Sequence, residues 1–202
     1  MTYYFFFEDF LDCNKKSIIF FLLLAGIFIF LCSCSSTGAA RRNNLYASLA
    51  DNSKYRLLPP EYIEKPMDGQ EFVTASYGDS SYQVIAWVKA DKNGIDITLL
   101  NELGANMGEL SYRDGSVYFS SRVFPRSVKG EFIVADFQLC FYNTAGLYQA
   151  LEECGLSLVE TETGRLVLQE KNLIIEIEKK PNAVKLVNHL RGYSYILEGY
   201  FE

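Results

Sequence analysis

The spacing of apolar residues changes three times along this chain, and each change marks a boundary. Residues 18–31 are apolar without interruption. From Gln70 the apolar positions fall instead into short runs rich in Val, Ile, Tyr and Phe, separated by turn dipeptides, which is the pattern of strands and hairpins. Ile95-Asp96-Ile97-Thr98-Leu99 alternates strictly, and a similar alternation recurs at Leu173–Glu178 and Tyr193–Glu198. Such segments predict antiparallel strands with one covered and one wet face. Val84–Val88 runs through Asp91-Lys92-Asn93-Gly94 into Ile95–Leu99, so a hairpin is expected to turn at Asn93-Gly94. Asp114-Gly115, between Leu110–Tyr112 and Val117–Phe119, predicts a second hairpin of the same kind.

Between Glu131 and Gly155 the period lengthens. Ile133, Phe137, Cys140 and Phe141 recur at three and four, as do Leu147, Tyr148, Leu151 and Cys154 after Asn143-Thr144. This spacing predicts two consecutive helices, 131–142 and 144–154. Asn143 or Thr144 can cap the second, and Gly155 can close it in a left-handed conformation. Strands, two helices, then strands again predict an α+β domain whose helices lie on one face of a curved antiparallel sheet, an open half-barrel.

The uninterrupted apolar run has 14 residues, and a helix crossing a bilayer needs roughly 20. With Lys15 and Lys16 before it and a small polar cluster after it, the run predicts a signal peptide over residues 1–33. The aromatic, acidic stretch Tyr3–Phe10 does not suit the basic end of a leader, and translation from near Asn14 is one explanation. Leu31-Cys32-Ser33-Cys34 resembles a bacterial lipobox, which implies that Cys34 becomes the acylated N-terminus. Ser35 after it resembles the sorting default for the outer membrane, so the expected location is the periplasmic face of the outer membrane. Acylation on more than one chain makes such attachment stable. Residues 34–56 are small, polar and charged and are expected to form the lipidated N-terminus and a tether, with a short helix conceivable over Leu45–Asp51. Pro59-Pro60 and Pro66 keep the following stretch extended, and 57–202 is expected to be a single domain.

Composition narrows the chemistry. The net charge is −6, which argues against a partner held by phosphate neutralisation, so no nucleic acid is expected. One histidine and no Cys-x-x-Cys pair leave no zinc site, and no cofactor motif is found. Cys140 and Cys154 are the thiols of the body, read here as buried free cysteines, with a disulfide as the alternative. His189 has no nucleophile suggested beside it, so catalysis is not expected. The Asp91–Asp96 stretch lacks the carboxylate spacing of a calcium loop and is read as the hairpin. Asp136 stands in an otherwise apolar helix, either as part of a polar stripe or as a buried, tuned carboxylate. Two short helices leave a curved sheet incompletely sealed, and Trp87, Phe137 and Phe141 are the expected lining of an apolar cleft between the layers.

Ala135-Asp136-Phe137-Gln138-Leu139-Cys140-Phe141-Tyr142, then Leu147–Leu151, Gly164-Arg165, Leu186–His189 and Gly192–Tyr195 together resemble a family of bacterial lipoproteins of unknown function. Members are encoded beside fatty-acid-synthase-like genes in aryl polyene clusters, and their domain is similar in layout to the lipoprotein carriers LolA and LolB. The resemblance covers about residues 57–202 and implies a carrier or receptor for an acyl or polyene lipid or for lipoprotein acyl chains. It brings no catalytic residues. Val123-Phe124-Pro125-Arg126 is the nearest counterpart of the exposed apolar loop that membrane-inserting carriers use. A non-catalytic envelope scaffold binding a protein partner through a sheet edge is the alternative.

Overall fold

The computed structural model describes residues 45–199. The expected signal peptide, the lipidation site Cys34 and the first part of the tether lie outside the described residues.

The chain begins with two short paired strands, β1 (Tyr46–Ala47) and β2 (Tyr55–Arg56), and a 3-10 turn at Pro60–Tyr62. Five strands follow in an antiparallel meander: β3 (Met67–Tyr77), β4 (Ser80–Asp91), β5 (Gly94–Leu100), β6 (Asn106–Arg113) and β7 (Ser116–Ser121). Helices α1 (Gly130–Phe141) and α2 (Thr144–Glu152) come next. A second meander completes the domain: β8 (Ser157–Thr161), β9 (Gly164–Gln169), β10 (Asn172–Lys180), β11 (Ala183–Asn188) and β12 (Tyr193–Glu198).

The meanders are joined where β12 pairs with β3, Tyr193 opposite Tyr77 and Glu198 opposite Phe72. One curved, open sheet of ten strands results, in the order β7-β6-β5-β4-β3-β12-β11-β10-β9-β8. The helices therefore connect its two free edges. Register shifts at Leu99/Leu100 and at Leu173/Ile175 place one irregularity in each half, and such bulges bend the strands that carry them. The α+β expectation holds in this form.

Local chemistry sets the helix ends. The Asn143 side chain accepts from the Gly146 amide at 3.0 Å and caps α2. At the other end the Leu156 amide donates to the Leu151 carbonyl and the Gly155 amide to that of Glu152, with Gly155 at φ +76°. This is a Schellman closure, and a residue with a Cβ is strained there. The carbonyls at the end of α1 are taken by a buried cation: Arg165 Nη1 donates to Leu139 O and Tyr142 O, each at 2.9 Å.

Two expectations are corrected. The β4–β5 hairpin turns at Lys92-Asn93, because Asp91 pairs with Gly94. The Asp91 carboxylate accepts the Asn93 amide at 2.7 Å, an Asx turn that replaces the left-handed geometry expected of Asn93-Gly94. Asp114-Gly115 does adopt that geometry, at φ +50° and +69°.

Residues 45–56 are not part of a tether, nor is Leu45–Asp51 a helix. Ala47, Leu49, Ala50 and Tyr55 are buried, and the segment belongs to the folded body. Its polar composition misleads because these few apolar side chains, with Ser53, are the ones turned inward while most of the polar ones stay in solvent. Gln138 of α1, fully buried, holds it: Oε1 accepts from Tyr55 Oη and the Leu58 amide at 3.0 Å, and Nε2 donates to Leu58 O at 2.8 Å. The amide side chain thus pairs with Leu58 as a neighbouring strand would.

Candidate functional site

On β4 the residues Val84, Ala86, Val88 and Ala90 point to the concave face, where α1 lies. Alanines at this level, Ala75 of β3 and Ala86 of β4, leave the space beneath the helix unfilled. A cavity of about 480 Å³ remains between α1 and strands β3, β4, β5, β11 and β12. That is within the range of small-molecule sites, roughly 300–1,000 Å³.

Its lining is almost wholly apolar. Phe132, Ile133, Phe137, Cys140 and Phe141 face it from α1, and Val73, Ala86, Val88, Ile97 and Leu99 from the sheet. Phe137 and Phe141 sit one helical turn apart with ring centroids 4.8 Å from each other. Val123–Arg126 does not project as an apolar loop: Phe124 and Pro125 turn onto the cavity, and Phe124 meets Tyr82 edge-on at 6.3 Å.

Trp87 is a correction. It does not line the cavity but stands on the opposite face of β4, about half exposed, with its indole N–H donated to Asp68 Oδ1 at 3.3 Å. Ala86 and Val88 take the inward positions, and a strand's two-residue period then sends Trp87 outward.

One acid interrupts the apolar wall. Asp136 on α1 is 4% exposed and accepts Tyr193 Oη at 3.1 and 2.9 Å on its two oxygens, with the Tyr195 phenol beside it. Burial raises its pKa from the ordinary value of 3.8 to about 7, against the opposing pull of the two tyrosines and the charge of Arg191. Burial also raises both phenols, and the neighbouring carboxylate adds to this.

The cluster is held by the turn between β11 and β12. Buried Asn188 donates to Tyr193 Oη at 3.2 Å and accepts the Arg191 amide at 2.8 Å. Arg191 lays its guanidinium over the Phe132 ring, 4.4 Å from the centroid, and donates to Ser48 O. The Asn-x-x-x-Gly-Tyr segment thus folds back to orient a phenol onto an acid 57 residues away.

Sequence reasoning found Asp136 but not its partners. Tyr193 and Tyr195 carried a signal, since both fall on one face of an alternating strand, but nothing local says that this face meets α1.

The remaining candidates sit elsewhere or are committed. His189 is at the surface, 3.2 Å from the Glu176 carboxylate and away from the cavity lining. Cys140 and Cys154 are free, and burial pushes the Cys140 thiol up to about 12. Among the described residues no group of three or more His, Cys, Asp or Glu side chains is placed to hold a metal ion. No helix among them is long and apolar enough to cross a membrane.

No curated protein matches this chain. A family model does, from Gly69 in β3 to Glu198 at the end of β12, and so takes in the ten-stranded sheet apart from Met67 and Asp68, both helices and every residue of the Asp136 cluster. By that match over residues 69–198 the chain belongs to an uncharacterised family, described as protein of unknown function (DUF3261).

Proposed function

We propose that this protein is a lipid-anchored, non-catalytic carrier or receptor that holds a hydrophobic chain, acyl or polyene, between α1 and the concave face of its sheet. The observation that carries this reading is the unfilled apolar cavity beneath α1. Apolar surface left facing water in a concave site is unfavourable, and an apolar ligand that covers it removes that surface from solvent. Cys34 and Ser35 support attachment at the periplasmic face of the outer membrane. The likeness to LolA and LolB, and the association with aryl polyene clusters, enter only as analogy of layout and setting.

A non-catalytic role is supported by the lining itself. Cys140 is a thiol and not a thiolate at neutral pH, and no histidine reaches it. The scaffold alternative relies on the free edges β7 and β8, yet a scaffold expects a filled core.

Native mass spectrometry of residues 35–202, purified without detergent, tests the reading. A bound mass in the lipid range is expected, lost in Ala86→Phe, where the new ring occupies the cavity. A clean apo mass that stays clean after incubation with fatty acids, fatty alcohols and lipopeptides would shift the assignment to a scaffold.

A further inference from the structure

The cavity runs beside α1 from Phe132 to Phe141, about 14 Å of helix. At about 480 Å³ it lies in the lower part of the range of sites that take one small ligand, roughly 300–1,000 Å³, which suits a single acyl chain.

Asp136 lies about midway along this stretch of helix, four residues from Phe132 and five from Phe141. Its carboxyl accepts from Tyr193, and when ionised its four lone-pair sites leave room for another donor. The nearest cation, Arg191, is committed to the Phe132 ring and to Ser48 O. A ligand carboxylate entering here would set a second negative charge beside the ionised, buried Asp136, whereas a hydroxyl or amide N–H completes the acceptor.

Resting on the carrier reading, the geometry points to a single-chain amphiphile with an uncharged head that donates a hydrogen bond to Asp136, in preference to a free fatty acid or a two-chain lipid. The site thereby separates ligands by head group at the acid and by chain number through its volume. Tyr193 and Tyr195 from β12, Arg191 from the β11–β12 turn and Cys140 on α1 itself are the titratable or charged groups that act on this carboxyl. Of these groups, only Asp136 changes charge near neutral pH, at about 7.

The test uses the full chain in phosphatidylcholine vesicles and three probes with a diazirine in the chain: hexadecanol, hexadecanoic acid and dipalmitoylglycerol. After irradiation at about pH 8, mass spectrometry reads the label on the peptides containing α1 and β12. Hexadecanol is expected to label them at least about tenfold more than either competitor, the factor that corresponds to one pKa unit of charge penalty. In Asp136→Asn, labelling by the acid should rise towards that by the alcohol. If this variant does not fold, wild-type protein at about pH 6, where Asp136 takes up a proton, should show the same rise.

Equal labelling by the acid in wild type at about pH 8, or no rise in either the variant or the acidic sample, overturns the head-group assignment. Equal labelling by dipalmitoylglycerol overturns the single chain. Failure of the carrier reading itself looks different: all probes would miss the cavity peptides, or would label Ala86→Phe as strongly as wild type.

Discussion

Replacing Gln138 by leucine removes the clamp between α1 and the N-terminal segment while nearly preserving volume. Three hydrogen bonds disappear: those from Tyr55 Oη and the Leu58 amide to Oε1, and that from Nε2 to Leu58 O. The Leu58 carbonyl keeps a partner, because Tyr112 Oη also donates to it at 2.9 Å. The Leu58 amide and the Tyr55 hydroxyl are left buried without one, since Gln138, Tyr55 and Leu58 are all at most 5% exposed. Each orphaned group costs about 1–3 kcal/mol, and with partial relaxation the sum should come to about 3 kcal/mol. For a body of this size that lowers Tm by roughly 6–12 °C. Thermal and urea unfolding read the total, and amide hydrogen exchange locates it. The Leu58 amide and the β1–β2 pair should lose protection while β9–β11 keep theirs. Tyr55→Phe should cost only about 1 kcal/mol, because Oε1 retains the Leu58 amide. A loss under about 0.5 kcal/mol in Gln138→Leu, with Leu58 still protected, would refute the clamp.

Two further outcomes follow from the buried acid and the thiols. Asp136 has a folded pKa near 7 against 3.8 ordinarily, so the native state binds the proton more tightly and its contribution is fully present below about pH 4 and lost as pH rises to about 7. At about 1.36 kcal/mol for each pH unit, Asp136→Asn should gain up to about 4 kcal/mol relative to wild type across that window in urea titrations, and a difference independent of pH would contradict it. Alkylation of native protein with iodoacetamide should modify Cys154, which is partly exposed, before Cys140, which is 2% exposed, with two thiols titrating from the body after denaturation. A single mass lighter by two protons would instead reveal a disulfide.

The signals legible in the sequence were those that act within one turn or one strand. Asn143 caps the amides directly following it, Gly155 supplies a left-handed residue where α2 stops, and Asp114-Gly115 closes a two-residue hairpin. Each depends on φ, ψ and hydrogen bonds among near neighbours, so residue type and spacing suffice. The strict alternation of Ile95–Leu99 likewise marked a strand without reference to any partner.

Tertiary structure decided everything that required two distant segments to meet. Val84-Ile85-Ala86-Trp87-Val88 is apolar on both faces, so its pattern could not say which face α1 would cover, and Trp87 fell on the wrong side. Arg165 and Gln138 read as ordinary polar residues because their burial depends on carbonyls, an amide and a hydroxyl supplied from 23 to 83 residues away. The β12–β3 pairing that merges two local meanders into one sheet leaves no mark on either strand, yet it brings Tyr193 and Tyr195 under Asp136. Local preference sets the dihedrals of an element, but the environment of a side chain belongs to the assembled layers. Both helices, the Asp114-Gly115 turn and an apolar cleft lined by Phe137 and Phe141 could therefore be read in advance, whereas the Lys92-Asn93 turn, the packing of residues 45–56 and the tyrosine partners of Asp136 could not.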